Sequence, residues 1–457
     1  MTTCDTIVIG AGITGLTCAF QLKQKGVDVL ILEKQNRIGG QIKTITDGPF
    51  TFETGPNTGV VKHPEVAELF EQLGNTCKLE TALESSKKRL IWKNGQFHQL
   101  PAGLISAIGT PLFTWHDKFR ILGEPWRAKG TDPNESIGSL AERRLGKSYV
   151  DYAVDPFLSG VYAGNPYQLS ARCAMPKLYQ LEQQYGSFIR GAIAKAKQPK
   201  TPRDKKATKK VFSAEGGFSK LTEAITNAIG LQKIITSVEN ISIAPTTDNG
   251  WNISANIEGV KAEFKCNKIV TTCGSYELPN ILPFVDAQTM HKLNNLTYAP
   301  VVQVGVGISN TNGNNWLAFG GLVPSKEKQN ILGVLFPSAC FKNRAPHNGA
   351  LMSFFIGGMR HPEMLNLTDE ELTEIVNNNL SKMLKYPQPT VADAICISRH
   401  QRAIPQYEHT TDNRLEAIAK VQAQYPTLHI AGNLRDGIGM GDRIKQAFDV
   451  ANELSKK

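Results

Sequence analysis

Gly10-Ala11-Gly12-Ile13-Thr14-Gly15 lies between an apolar run, Thr6-Ile7-Val8-Ile9, and the helical stretch Leu16 to Lys25. A second apolar run, Val27 to Leu32, follows and ends on Glu33. Strand, glycine turn, helix, strand and acid, in that order, predict a βαβ unit built around a pyrophosphate. Gly10 permits the tight turn, Gly12 lets the backbone approach the phosphates, and Gly15 lets helix and sheet pack closely. The first amides of the helix have no intrahelical partner and attract an anion. Glu33 stands near the spacing of about 20 residues at which a carboxylate meets ribose hydroxyls. An N-terminal segment of this kind belongs in a parallel, doubly covered sheet.

Two further glycine sites extend the argument. Arg37-Ile38-Gly39-Gly40 follows at once, and Phe52-Glu53-Thr54-Gly55-Pro56-Asn57 comes after it. The arginine can neutralise phosphate charge and the glycine pair permits a second close backbone approach. A nicotinamide dehydrogenase has no need of that second site, whereas a long two-part cofactor such as FAD does. Near the other end, Leu428 to Asn433 reads as a strand and Gly437-Ile438-Gly439-Met440-Gly441 opens a helix from Asp442 to Leu454. The dipole of that helix would favour negative charge on a reduced flavin.

The middle of the chain divides by pattern. Residues 100 to 195 are helical and mildly amphipathic, with Trp115, Phe119, Ile121, Leu122, Trp126 and Phe157 expected mostly in a core, some at a hydrophobic mouth. Strands are expected at Lys233–Ile235, Val238–Ile243, Trp251–Ser254 and Lys268–Thr272, the last returning to the nucleotide sheet. Further strands are expected at Val301–Val306, Ile331–Phe336 and Leu351–Ile356, and a helix from Thr368 to Leu384. At 457 residues, two or three domains are expected. The fold class is therefore α/β. A discontinuous Rossmann-like FAD domain (1–85, 205–290 and 395–457) joins a strand-rich substrate domain (86–104 and 291–394). A helical, membrane-facing insertion (105–204) completes it.

No window approaches the roughly 18 apolar residues that span a bilayer. The first strand begins with no signal or transit pattern before it, and the eight cysteines form no CxxC pair and no zinc spacing. A cytoplasmic protein with buried thiols and no metal is expected. The net charge of +10 is uneven: Lys195 to Lys210 holds eight basic residues against Asp204 alone. With Pro199 and Pro202 and no apolar anchor, this loop should be mobile and solvated. It is either a solubilising loop or a contact with an anionic membrane face. No recognition motif or aromatic platform accompanies it, so nucleic acid is not an expected partner.

The glycine motifs, the Glu33/Arg37/Gly39-Gly40 stretch and the C-terminal Ala431-Gly432-Asn433 with Gly437–Asp442 resemble the flavin amine oxidase superfamily. Other segments resemble its protoporphyrinogen oxidase branch. They are Phe157–Gly164, Phe319–Pro324, Phe341–Pro346, Phe355–Gly358 and Ala403–Tyr407, spread over nearly the whole chain in the branch's order. The resemblance implies an FAD-dependent, six-electron oxidation of protoporphyrinogen IX to protoporphyrin IX in haem biosynthesis, with dioxygen as acceptor and peroxide as product. A coproporphyrinogen III oxidase on the same scaffold is the alternative, and an amine oxidase or desaturase a more distant one. No His/Asp or paired-carboxylate constellation stands out, which suits a reaction whose hard step belongs to the cofactor.

Carried over residue by residue, the resemblance places the glycine facing the macrocycle's reacting centre at Gly160. The propionate-binding arginine falls at Arg89, and the apolar pocket at Leu322, Leu335 and Phe355. It implies cofactor contacts at Gly10, Ala11, Gly12, Ile13, Thr14, Gly15, Glu33, Lys34, Arg37, Gly40, Gln41, Gly55, Pro56, Asn57, Thr58, Val238, Ile438, Gly439 and Met440. Gln41 departs from the aromatic residue of some relatives. A homodimer is left open, as is peripheral contact with the cytoplasmic face of a membrane.

Overall fold

The computed structural model describes residues 2–387 and 392–455. Residues 388–391 and 456–457, inside the expected substrate and FAD segments, lie outside the described residues.

The N-terminal strand β1 (Thr2–Ile9) is central in the first sheet. It pairs in parallel with β2 (Val29–Leu32) on one side and β13 (Val260–Thr271) on the other. The sheet continues through β10 (Ile234–Ile235) beyond β2, and through β12 (Trp251–Ile257) and β11 (Val238–Pro245) beyond β13. The C-terminal half of β13 also receives β19 (Leu428–Ile430), in parallel. Period-two alternation divides the sheet's apolar side chains between two cores. Val8, Ile31 and Val270 face one, and Ile7, Ile9, Leu30, Leu32 and Ile269 the other. Helices Ile13–Gln24, Phe218–Ile229 and Met440–Leu454 cover the first face. Leu278–Ile281, Ala287–Asn294 and Thr411–Gln424 cover the second. The last helix packs on the first, so the two ends of the chain meet over one sheet.

A second seven-stranded sheet runs β18 (Ala394–Pro405), β14 (Tyr298–Ile308), β17 (Ala350–Gly357), β16 (Gly333–Leu335), β15 (Gly320–Leu322), β7 (Arg89–Lys93) and β8 (Gln96–Gln99). All its pairings are antiparallel except β15 with β7. One face packs under helix Asp369–Lys382 through Val302, Val304, Val306 and Phe354. The other packs on Phe50 and Phe52 and lines the cavity through Gln303, Phe355 and His400. Two small sheets fill the seam: the hairpin β3 (Thr44–Asp47) and β4 (Phe50–Glu53), and the trio β5 (Gly59–Val60), β9 (Val211–Ala214) and β6 (Leu79–Thr81).

The helical region differs from expectation in two respects. Trp115, Phe119, Leu122 and Trp126 were expected mostly in the core, yet they are 60–79% exposed. The helix Trp115–Leu122 is too short to bury its apolar side, and Ile105 and Ile108 beside it are also open. Only Phe157, 43% exposed, stands at the cavity wall. The Lys195–Lys210 segment, expected to be unanchored, is tethered. Its first residues finish helix Phe188–Ala196, and Thr201 caps a turn at Pro202–Lys205. Arg203 then pairs with Glu65 and Glu68 at 2.8 Å, and Lys206 with Glu71 at 2.5 Å. Helix Pro64–Leu73 thus supplies the acids that a reading of the segment alone could not see.

Candidate active site

Where β1 ends, the chain turns at Gly10 with φ +102 and enters helix Ile13–Gln24 through Gly12. That helix start has no side-chain cap and no acid in its first turn, so its first amides are left for a ligand. Glu33, just past β2, is 7% exposed and held by two amides: Ala11 N donates to Oε2 at 2.6 Å and Gln35 N to Oε1 at 2.8 Å. Uncapped amides, an oriented carboxylate and glycines at the closest approach fit the diphosphate and ribose of a dinucleotide.

Arg37 donates to the carbonyls of Ile38, Gly40 and Ile42, so it braces the second glycine turn as well as facing the cavity. That turn presses on the first, and Gly12 and Gly39 form an isolated parallel bridge. Lys34 pairs with Glu277 at 3.0 Å on the rim. Gln41 donates to the carbonyls of Arg402 and Ala403, which ties the loop to β18. Further in, Gly55, Pro56, Asn57 and Thr58 form one wall, opposite Ile438, Gly439 and Met440 at the start of the last helix. Asp442 accepts from Gly439 N and pairs with Lys62 at 2.6 Å and His63 at 3.0 Å.

The second sheet closes the far end. Three of its side chains reach the segment 53–57: Ser353 donates to Asn57 Oδ1 at 2.8 Å, His400 Nε2 to Thr54 O at 2.6 Å, and Gln303 to Glu53 O. Leu322, Leu335 and Phe355 line the cavity there, with Gly160 across from them. A Cβ at Gly160 would come within 2.4 Å of Leu322 Cδ2, so the helix Asp155–Tyr162 lies directly against the Leu322 side chain. Arg89 lies at the edge with its guanidinium 5.0 Å from the Phe319 ring centre, and it makes no ion pair among the described residues. Beneath the seam, Glu53 accepts from Thr44 Oγ1 and Phe218 N, both at 2.8 Å, and burial pushes its carboxyl up to about 7.

One continuous cavity of about 2560 Å³ joins these parts. All the residues expected at the site line it except two. Ala11 and Gly15 lie behind the first turn, where Ala11 holds Glu33 and Gly15 abuts the Gly10 carbonyl. Gln303, His400 and the Lys62/His63/Asp442 cluster line it too and were not anticipated. A polar residue inside the apolar run Pro300–Val306 marks Gln303 in hindsight. His400 carries no such signal, because β18 lacks a clear alternation and was not foreseen as a strand.

Fold and site together define a flavoenzyme, an oxidoreductase in which the N-terminal glycine turn and the start of the last helix line one cavity. The chain belongs to the flavin containing amine oxidoreductase family, whose model matches residues 13–454. A flavin carried on a dinucleotide is FAD, and FAD is the cofactor. Among relatives, the mitochondrial protoporphyrinogen oxidase of Nicotiana tabacum is 32% identical over 97% of this chain and 93% of its own. The coproporphyrinogen III oxidase of Bacillus subtilis is 25% identical over 96% of this chain and 95% of its own. The fold matches a crystal structure from Exiguobacterium sp., provisionally described as a protoporphyrinogen oxidase. Its TM-score is 0.81 at 22% identity, over 99% of this chain and 98% of that one.

Proposed function

We propose that this flavoenzyme oxidises protoporphyrinogen IX to protoporphyrin IX, a step of haem biosynthesis, with dioxygen as the final acceptor and peroxide as product. The observation that carries this reading is the apolar lining formed by Gly160, Leu322, Leu335 and Phe355 in the same cavity as the dinucleotide site. Apolar walls beside a dinucleotide site suit the hydrocarbon rings of a tetrapyrrole. The similarity to the tobacco protoporphyrinogen oxidase over nearly the whole chain supports it. When bound, FAD supplies the hydride acceptor. The chain's part is orientation: apolar walls exclude water, and the backbone at Gly160 lets the ring lie close. Arg89 holds a propionate with a planar fork that a lysine lacks. Pyrrole protons leave to solvent at the open edge of the cavity, with no strong base needed.

Arg89→Ala is expected to lower kcat/KM for protoporphyrinogen IX roughly tenfold or more, mainly through KM, because a charge-assisted contact is lost. The flavin spectrum should stay unchanged. Comparing kcat/KM for protoporphyrinogen IX and coproporphyrinogen III tests the substrate itself, and a large preference for the tetracarboxylate would overturn the assignment.

We further propose peripheral attachment to the cytoplasmic face of a membrane through Ile105, Ile108, Trp115, Phe119, Leu122 and Trp126. These are exposed apolar side chains concentrated in one short stretch, beside Lys118 at 4.6 Å over the Trp115 ring. No helix among the described residues is long and apolar enough to cross a membrane. Co-sedimentation with anionic liposomes should fall several-fold in the Trp115→Ala/Phe119→Ala/Trp126→Ala variant, and unchanged binding would exclude this face.

A further inference from the structure

β14 runs Tyr-Ala-Pro-Val-Val-Gln-Val-Gly-Val-Gly-Ile, with Gln303 in an otherwise apolar, fully paired stretch. Val302 and Val304 point into the outer core beneath helix Asp369–Lys382. Alternation therefore turns Gln303 the other way, level with Phe355 on β17 and Ser398 on β18. The residue is 3% exposed and lines the cavity. Burying a primary amide is costly unless its polar atoms find partners, so its presence calls for a reason.

Half of that reason is visible. The side chain contacts the backbone carbonyl of Glu53, two residues before the Gly55–Thr58 wall. A carbonyl only accepts, so the amide nitrogen must be the atom that faces it, and this fixes the orientation of the amide. Oε1 then points away from Glu53 and receives no hydrogen bond among the described residues. Donation to Glu53 O alone would be served by several other side chains. The acceptor is the unexplained part.

We infer that Gln303 is a positioning residue whose Oε1 accepts a hydrogen bond from an N–H of a planar heterocycle laid in the cavity. Two groups offer that chemistry here, the ring of the flavin and the pyrroles of the substrate. The second rests on the porphyrinogen reading above. In either case the contact fixes the in-plane rotation of a flat group that Leu322, Leu335 and Phe355 constrain only in tilt. It also ties that orientation to the wall at Gly55–Thr58, because both ends of one amide are engaged.

The test compares Gln303→Met, which has similar length and neither polar atom, with Gln303→Lys, which keeps a donor for Glu53 O but has no acceptor. FAD affinity is measured on the apoprotein by recovery of flavin absorbance. Protoporphyrin IX affinity is measured on the flavin-loaded protein by fluorescence quenching. Both variants are expected to lose about five- to tenfold in affinity for one of the two molecules, the value of one hydrogen bond. Loss in FAD binding assigns the flavin, accompanied by a shift of its visible bands, and loss in porphyrin binding assigns the pyrrole. Affinities within twofold of the parent for both molecules would overturn the inference. So would recovery in Gln303→Lys of what Gln303→Met loses, since the donor to Glu53 would then be the whole role. If Gln303→Met does not fold, Gln303→Lys alone carries the comparison. A parent protein that binds no porphyrin contradicts the substrate reading and leaves the FAD comparison to decide the inference.

Discussion

Gly15→Ala is expected to abolish flavin uptake. A Cβ there would stand 1.9 Å from the Gly10 carbonyl oxygen and 2.9 Å from Thr272 Oγ1. The carbonyl cannot yield, because Gly10 is fixed on every side. Its amide donates to Leu32 O at 2.8 Å, Thr272 Oγ1 donates to its carbonyl at 3.2 Å, and its φ of +102 is open only to glycine. Relief must come from moving helix Ile13–Gln24 off the sheet, which carries its first amides away from the phosphates. The affinity for FAD should fall by at least about a hundredfold, on the scale of several lost backbone contacts. The flavin-to-protein ratio after purification in excess FAD measures it. A variant that comes through as yellow as its parent would show that the turn is not the seat of the cofactor.

Glu124→Ala should produce the largest loss of stability. Glu124 and Arg144 are both wholly buried in the helical insertion. Glu124 accepts from Arg144 Nε at 2.8 Å, Ser187 Oγ at 2.6 Å, Phe188 N at 2.9 Å and Ile189 N at 3.2 Å. It therefore neutralises a buried guanidinium and caps the start of helix Phe188–Ala196 at once. The hydrogen bonds hold the Glu124 carboxyl below its ordinary range in spite of burial. Truncation leaves Arg144 with Glu182, at 3.2 Å, as its remaining carboxylate, and Glu182 is already shared with Arg143. Removing one partner of a buried pair costs about 3–5 kcal/mol. Protease cleavage within residues 105–204 and a thermal transition lower by several degrees are the expected results. An unchanged melting curve and unchanged cleavage would show that the insertion is held by its apolar contacts alone.

The nucleotide half of the molecule was readable because its signals are local. Gly10 to Gly15, the apolar strands on either side and Glu33 lie within one supersecondary unit, and the spacing carries the geometry. The closing helix was readable from Gly437 to Gly441 for the same reason. The substrate half depends on contacts far apart in sequence. Arg89 and Gly320 are register partners across β7 and β15, and Gln303 reaches Glu53 across 250 residues. β18 was missed because its two faces are nearly equally covered, so its side chains do not alternate. The exposed Trp115, Phe119 and Trp126 show the converse error. Bulky apolar residues suggest a core, but burial depends on what stands opposite, and these side chains remain mostly exposed. The tethered Lys195–Lys210 segment failed in the same way, since Glu65, Glu68 and Glu71 lie on a helix more than 120 residues earlier.

Anaerobic mixing of the FAD-loaded protein with protoporphyrinogen IX bears most directly on the central claim, that a porphyrinogen is laid against the flavin held by both chain ends. The expected result is rapid loss of the yellow absorbance, with three flavins bleached for each porphyrinogen converted to porphyrin. A flavin that stays oxidised in excess porphyrinogen, while dithionite still reduces it, would contradict the account.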